Sequence, residues 1–179
     1  GGMVTADNRR ENGAEANDWQ ECIRIGTTLA DEAIKIVSDA PLQTNPQLFC
    51  AAENIQFNID SPMMRYIFDN SPLNYNINDE YKVSTTLNLV NIGSAQILTV
   101  PGEALPNIGY YLKRNMKSKQ VFLFCLTNDA FGYILTKVDF NSFERYNYIS
   151  RTSLGEKTGE HYIKEAIKMI ASNPGADEN

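Results

Sequence analysis

Between Trp19 and Val37 the apolar residues Ile23, Ile25, Leu29, Ala30, Ala33, Ile34 and Val37 return at helical spacing. That predicts a helix with Asp18 as its cap and Pro41 as its stop. In "LFCAAENIQFNID" the alternation Ile55, Phe57, Ile59 predicts a strand. Residues 61–82 hold two prolines and several Asn and Asp, which suits a short helix or loop insert. "STTLNLVNIG" and "AQILTV" read as strands joined at Asn91-Ile92-Gly93-Ser94, a hairpin signal. A helix is predicted over 103–116, and "QVFLFCLT" has the near-continuous apolar pattern of a strand covered on both faces. "FGYILT" follows as a short strand, "DFNSFERY" as a helical turn, and "TGEHYIKEAIKMIA" as a final amphipathic helix.

The order α-β-β-β-α-β-β-α, with a hairpin and a buried strand, predicts a mixed α/β (α+β) layered domain whose sheet is flanked by helices. No repeat or heptad is visible, and the 179 residues suit one domain over 1–179. Its polar ends, about 1–15 and 173–179, are expected to be loose.

Composition removes several function classes. A net charge of −6, with both signs scattered, offers no clustered basic patch for nucleic acid or an anionic membrane. No apolar run reaches the ~18–20 residues that span a bilayer, and no charged-then-apolar leader opens the chain. Cys22, Cys50 and Cys125 form no CxxC pair, so neither a zinc knuckle nor a disulfide framework is signalled. Cys50 and Cys125 lie in apolar runs and are expected to be buried. His161 is the single histidine, so the chain alone cannot build a histidine-based metal site or a Ser-His-Asp triad. Its helical setting suits a packing role.

One stretch, "ILTVPGEALPNIGYYLKRNM", sets a lone carboxylate, Glu103, on the corner after an apolar run. In a first helical turn Glu103 would face the positive end of the helix dipole, worth about 0.3–1 kcal/mol with no function required. Strand ends in α/β sheets are also where sites are commonly built. The next strand ends in "LTNDAFGYILT", which brings Asn128, Asp129 and Tyr133 near a glycine. These residues leave both readings of Glu103 open.

Three segments resemble the neutral/alkaline ceramidase family and its bacterial relatives. "GGMVTADN" with "NDWQECIRIGTTLADEA" is similar to the family's Gly-x-Met-Ser-Pro-Asn nucleophile loop and the helix after it. "IGSAQILTVPGEALPNIGYYLKR" is similar to its strand–Pro-x-Glu–helix segment. "VFLFCLTNDAFGYILTKVDFNSFERYNYISRTSLGEKTGEHYIKEA" is similar to its Asn-x-x-x-x-Tyr strand and the glutamate- and tyrosine-rich stretch that follows. Residues 41–90 match poorly.

The resemblance implies the later part of a ceramidase-like catalytic domain. Glu103 and Tyr133 fall on positions that in the family bind a catalytic zinc with two histidines. Zinc accepts such donors and activates water for attack on an amide. The substrate implied is an N-acyl amide of a sphingolipid or related lipid. The histidines belong to an N-terminal half that these residues do not include. Val4 stands where the family has its serine, and Thr5, one place later, is the candidate hydroxyl. A second reading is therefore a catalytically inactive binding or structural domain that keeps the fold. The surface left bare by the missing half should carry apolar residues and favour homo-oligomers. A secreted or cell-envelope location follows only if the parent protein has a signal peptide.

Overall fold

The structure, a computed structural model, describes residues 18–142, 144 and 147–176. The chain divides into two compact units, Thr5–Thr44 and a larger one that holds everything from Asn45 onward. The described part of the first is the helix α1, Asp18–Asp39. It follows the predicted periodicity, and its Trp19, Leu29, Ile34 and Val37 side chains are exposed. No described helix is long and apolar enough to cross a membrane.

The larger unit contains β1 (Leu48–Asn58), α2 (Pro62–Asp69), β2 (Lys82–Ile92), β3 (Ala95–Thr99), β4 (Glu103–Ala104), α3 (Pro106–Asn115), β5 (Gln120–Phe124), β6 (Tyr133–Ile134), α4 (Asn147–Arg151) and α5 (Thr158–Ser172). It is an α/β fold. β1, β2, β3 and β5 form a four-stranded sheet in that order. β1–β2 and β2–β3 are antiparallel, while β5 returns parallel to β3 through α3. The β2–β3 hairpin turns at Gly93-Ser94, with Gly93 at a φ of 54°. α2 forms where Ser61 caps it, accepting from the Met64 N–H, and Pro62 opens its first turn.

Period-two alternation puts Ile55 and Phe57 of β1, Val83, Leu87 and Leu89 of β2, and Leu98 of β3 on one face. There they meet Ile108 and Leu112 of α3 and Tyr162, Ala166, Met169 and Ile170 of α5. Tyr162 is fully buried, and its hydroxyl donates to the Thr99 carbonyl at 3.0 Å. On the opposite face the even-numbered residues of β1 are exposed and those of β2 from Lys82 to Val90 are half-buried.

Several expectations need correction. "QVFLFCLT" is not covered on both faces. β5 is an edge strand that alternates exposed and half-buried, with Phe122 and Phe124 on the face away from the α3 and α5 core. Cys50 is exposed on the face of β1 away from the core, and Cys125 packs against the core but stays half-buried just past the end of edge strand β5. The helix expected over 103–116 starts at Pro106, since Glu103 and Ala104 are taken up by strand pairing.

The tail is tied down as far as Ala176. Asn91 Nδ2 donates to the Pro174 and Gly175 carbonyls, both at 3.1 Å, and the Ala176 N–H donates to Lys117 O at 3.2 Å. Lys117 Nζ meanwhile donates to the Ala171 and Asn173 carbonyls at the negative end of α5.

Tyr162→Phe removes the hydroxyl but not the ring, leaving a buried carbonyl short of a donor. Stability should fall by about 1–3 kcal/mol, read from the midpoint of a urea titration. An unchanged midpoint would mean the bond contributes nothing.

Candidate functional site

β3 leads through Val100-Pro101-Gly102 into β4, and the loop after β5 leads into β6. The two short strands pair in parallel, Glu103 beside Tyr133 and Ala104 beside Ile134. Facing residues in register point the same way. Ala104 and Ile134 are thus buried together, and Glu103 and Tyr133 lie half-buried on the other side.

Glycines make this approach sterically allowed. A Cβ on Gly102 would stand 2.5 Å from the Gly132 carbonyl, and one on Gly132 would stand 1.9 Å from the Thr152 carbonyl. Gly132 also has a φ of 77°. The backbone is stitched by Glu103 N–H to Gly132 O at 2.8 Å, Leu105 N–H to Ile134 O at 3.0 Å, and Tyr133 N–H to Thr152 O at 3.0 Å.

The last of these bonds brings in α4, and with it Tyr148, which the sequence reading did not single out. The Tyr133 and Tyr148 rings meet edge to face with centroids 5.8 Å apart. Tyr133 also packs beside Leu105, Leu135 and Ile149. Burial, a hydrogen bond with Tyr148 and the neighbouring Glu103 carboxylate push the Tyr133 phenol above the ordinary tyrosine value. All three disfavour the phenolate. The only signal for Tyr148 was its place in the tyrosine-rich stretch, which gave no contact.

Asn128 and Asp129 are used elsewhere. Asn128 Nδ2 donates to Thr86 O at 2.6 Å and Asn88 Oδ1 at 2.7 Å, and Asp129 accepts from the Thr85 hydroxyl. The loop buckles to reach β2, with Leu126 and Asn128 in the left-handed region at φ values of 52° and 71°. His161 donates from Nε2 to Gln56 O at 2.7 Å and packs edge-on against Phe57, a structural role. Thr5 lies outside the described residues.

No group of three or more His, Cys, Asp or Glu among the described residues could hold a metal. A cleft of about 860 Å³ lies apart from Glu103 and Tyr133, lined by Asn54, Gln56, Asn58, Lys82, Lys157 and His161 among others.

This arrangement belongs to an α/β fold with two oxygen side chains set side by side at the end of a sheet. The fold is similar to that in the crystal structure of the neutral ceramidase from Pseudomonas aeruginosa, with a TM-score of 0.65 at 12% identity. The match covers 96% of this chain and 36% of the ceramidase chain, so these residues span roughly a third of its length. No protein-family model and no curated protein matches the sequence.

Glu103→Gln removes the nearby negative charge, so Tyr133 should ionise at lower pH than in the parent. Tyr148→Phe should act in the same direction by deleting the hydrogen bond that holds the neutral phenol. Carbon-13 NMR of the labelled tyrosine Cζ across alkaline pH reads both. The raised value contributes stability fully below pH 10.0, lost as pH rises through the folded value. A Tyr133 titration unmoved by either change would show that the three groups do not interact.

Proposed function

We propose that this chain is the later part of a ceramidase-like amidohydrolase, with Glu103 and Tyr133 as part of its zinc site. The supporting observation is their in-register pairing at the end of a sheet whose fold is shared with a neutral ceramidase. The donor chemistry fits: a carboxylate and a phenol supply hard oxygen ligands, and a nearby dication would offset the charge that opposes Tyr133 ionisation. They are two donors, however, and zinc sites take three or four protein ligands. The remainder, two histidines in this reading, comes from an earlier part of the protein.

When bound, zinc would polarise the scissile carbonyl of an N-acyl lipid amide and activate water. Glu103 would bring fixed negative charge on a backbone locked by β6. Tyr133 would be held in place by the Tyr148 ring and by its own N–H bond to Thr152. Thr5 is the hydroxyl nearest to the family's serine position, and its role here is part of the proposal.

One observation favours a second reading, an inactive domain that retains the fold: Val4 occupies the place of that serine.

The isolated chain should bind zinc weakly and with little selectivity in calorimetric titration, because the donor set is incomplete. It should not hydrolyse ceramide. In a longer form of the protein that supplies the histidines, Glu103→Ala should cut both metal content and turnover on an N-acyl sphingolipid, the latter by at least ~10–100-fold. Full activity and full metal content in that variant would return Glu103 to a purely structural role.

A further inference from the structure

β2 changes neighbour along its length. Its last residues pair with β3, Val90 with Ile97 and Ile92 with Ala95. Nearer its start, the Ser84 N–H donates to the Asn76 carbonyl at 2.9 Å, and the Lys82 carbonyl accepts from the Asn78 N–H at 3.0 Å. Between these stretches no strand lies alongside, because β3 ends at Thr99 and the chain departs to carry Glu103 into β4. Side chains take over there. The Asn88 N–H donates to the Thr99 hydroxyl oxygen at 2.8 Å, and the Thr86 carbonyl accepts from Asn128 Nδ2 at 2.6 Å.

Asn128 belongs to the loop 125–132 that delivers Tyr133. On one side this loop is sewn to the segment that delivers Glu103. Leu126 N–H reaches Gly102 O at 3.0 Å, Thr127 N–H reaches Val100 O at 3.1 Å, and Phe131 N–H reaches Pro101 O at 2.9 Å. Those bonds join the two arms to each other, yet both arms run past the ends of β3 and β5. Attachment to β2 comes from Asn128 and Asp129. Asn128 Nδ2 bridges Thr86 O and Asn88 Oδ1, at 2.6 and 2.7 Å, and Asp129 accepts from the buried Thr85 hydroxyl. Thr85 and Asn88 point to opposite faces of β2, so the two side chains hold the strand from both sides.

The backbone bends to make this attachment. Leu126 and Asn128 stand in the left-handed region, at φ values of 52° and 71°. Asparagine tolerates that conformation, but leucine is strained in it. Such strain persists where the surroundings over-determine it, and it gathers at functional sites.

We propose that Asn128, together with Asp129, is a positioning residue that holds the 125–132 loop on β2 and so keeps Tyr133 beside Glu103. Its bearing on catalysis rests on the reading of Glu103 and Tyr133 as zinc ligands. Zinc–oxygen bonds of roughly 2.0–2.2 Å leave little tolerance for a loop that drifts.

The position is read first in this chain, without metal. Glu103→Cys with Tyr133→Cys, in a Cys22→Ser, Cys50→Ser, Cys125→Ala background, sets two thiols on the in-register pair, at a strand spacing that suits a disulfide. Titration against glutathione gives their effective concentration. Asn128→Gly keeps the positive φ and deletes only the carboxamide, and Asn128 is exposed, so no core space is emptied. This change should lower the effective concentration about tenfold while circular dichroism stays that of the parent. Asp129→Ala should act in the same direction. An unchanged effective concentration in both folded variants overturns the proposal. In the longer form of the protein, Asn128→Gly should lower zinc affinity and turnover together by about tenfold. Full zinc affinity and turnover there, where Glu103→Ala loses both, also overturns it. If Glu103→Ala itself loses neither, the zinc reading fails, and the thiol pair still decides whether Asn128 positions the two residues.

Discussion

A three-way backbone contact fixes the part of this fold on which any chemistry would rest. Gly102, Gly132 and Thr152 come so close that Cβ atoms on the two glycines would enter neighbouring carbonyls at 2.5 and 1.9 Å. Without that contact β4 could not lie beside β6, and the Tyr133 N–H could not reach Thr152. Glu103 and Tyr133 would then be two polar residues on unrelated loops. Their adjacency is a property of the main chain, so it survives changes in side-chain rotamer. The hydrophobic layer acts behind it. Ala104 and Ile134 are buried on the reverse side, which leaves the carboxylate and the phenol only one direction to point.

The sequence made the helices and the long strands legible because their periods are strong. The spacing from Ile23 to Val37, the Ile55-Phe57-Ile59 alternation and the Gly93-Ser94 turn each map onto an element of the structure. Apolarity without a period misled. "QVFLFCLT" is apolar without a break from Val121 to Leu126, and only the tertiary arrangement decides that Phe122 and Phe124 face solvent while Leu123 packs inward. Composition is also silent on the side-chain bonds that Asn91, Gln96 and Lys117, from distant strands and loops, make to the carbonyls of Ala171, Pro174 and Gly175.

At the candidate site, the resemblance pointed to Glu103 and Tyr133, and local patterning alone could not have paired them. The helix-dipole account of Glu103 weakens here, because the residue lies in β4 and α3 begins only at Pro106. Its carboxylate therefore owes its position to strand pairing. Tyr148 was out of reach for another reason. It comes to Tyr133 by way of Thr152, through a helix of five residues that no periodicity could reveal. Asn128 and Asp129 show the converse. They looked like site residues by proximity in sequence, but their polar groups are used to fasten the loop to β2.

A fold likeness at 12% identity constrains architecture and leaves chemistry to individual residues. That distinction matters because the physical demands of the two roles differ. Holding the β4–β6 pair requires glycines and apolar partners, all of which are present. Holding a catalytic zinc requires about three protein donors and an open position, and the described residues bring together two oxygens whose surroundings favour the neutral phenol. Burial and a neighbouring carboxylate are an unfavourable setting for a phenolate unless a cation balances them. With its phenol neutral, Tyr133 packs edge to face against Tyr148 on a backbone fixed by the β4–β6 pair. The fold thus fixes where the carboxylate and the phenol stand, and the chemistry built on them is a separate demand on individual residues.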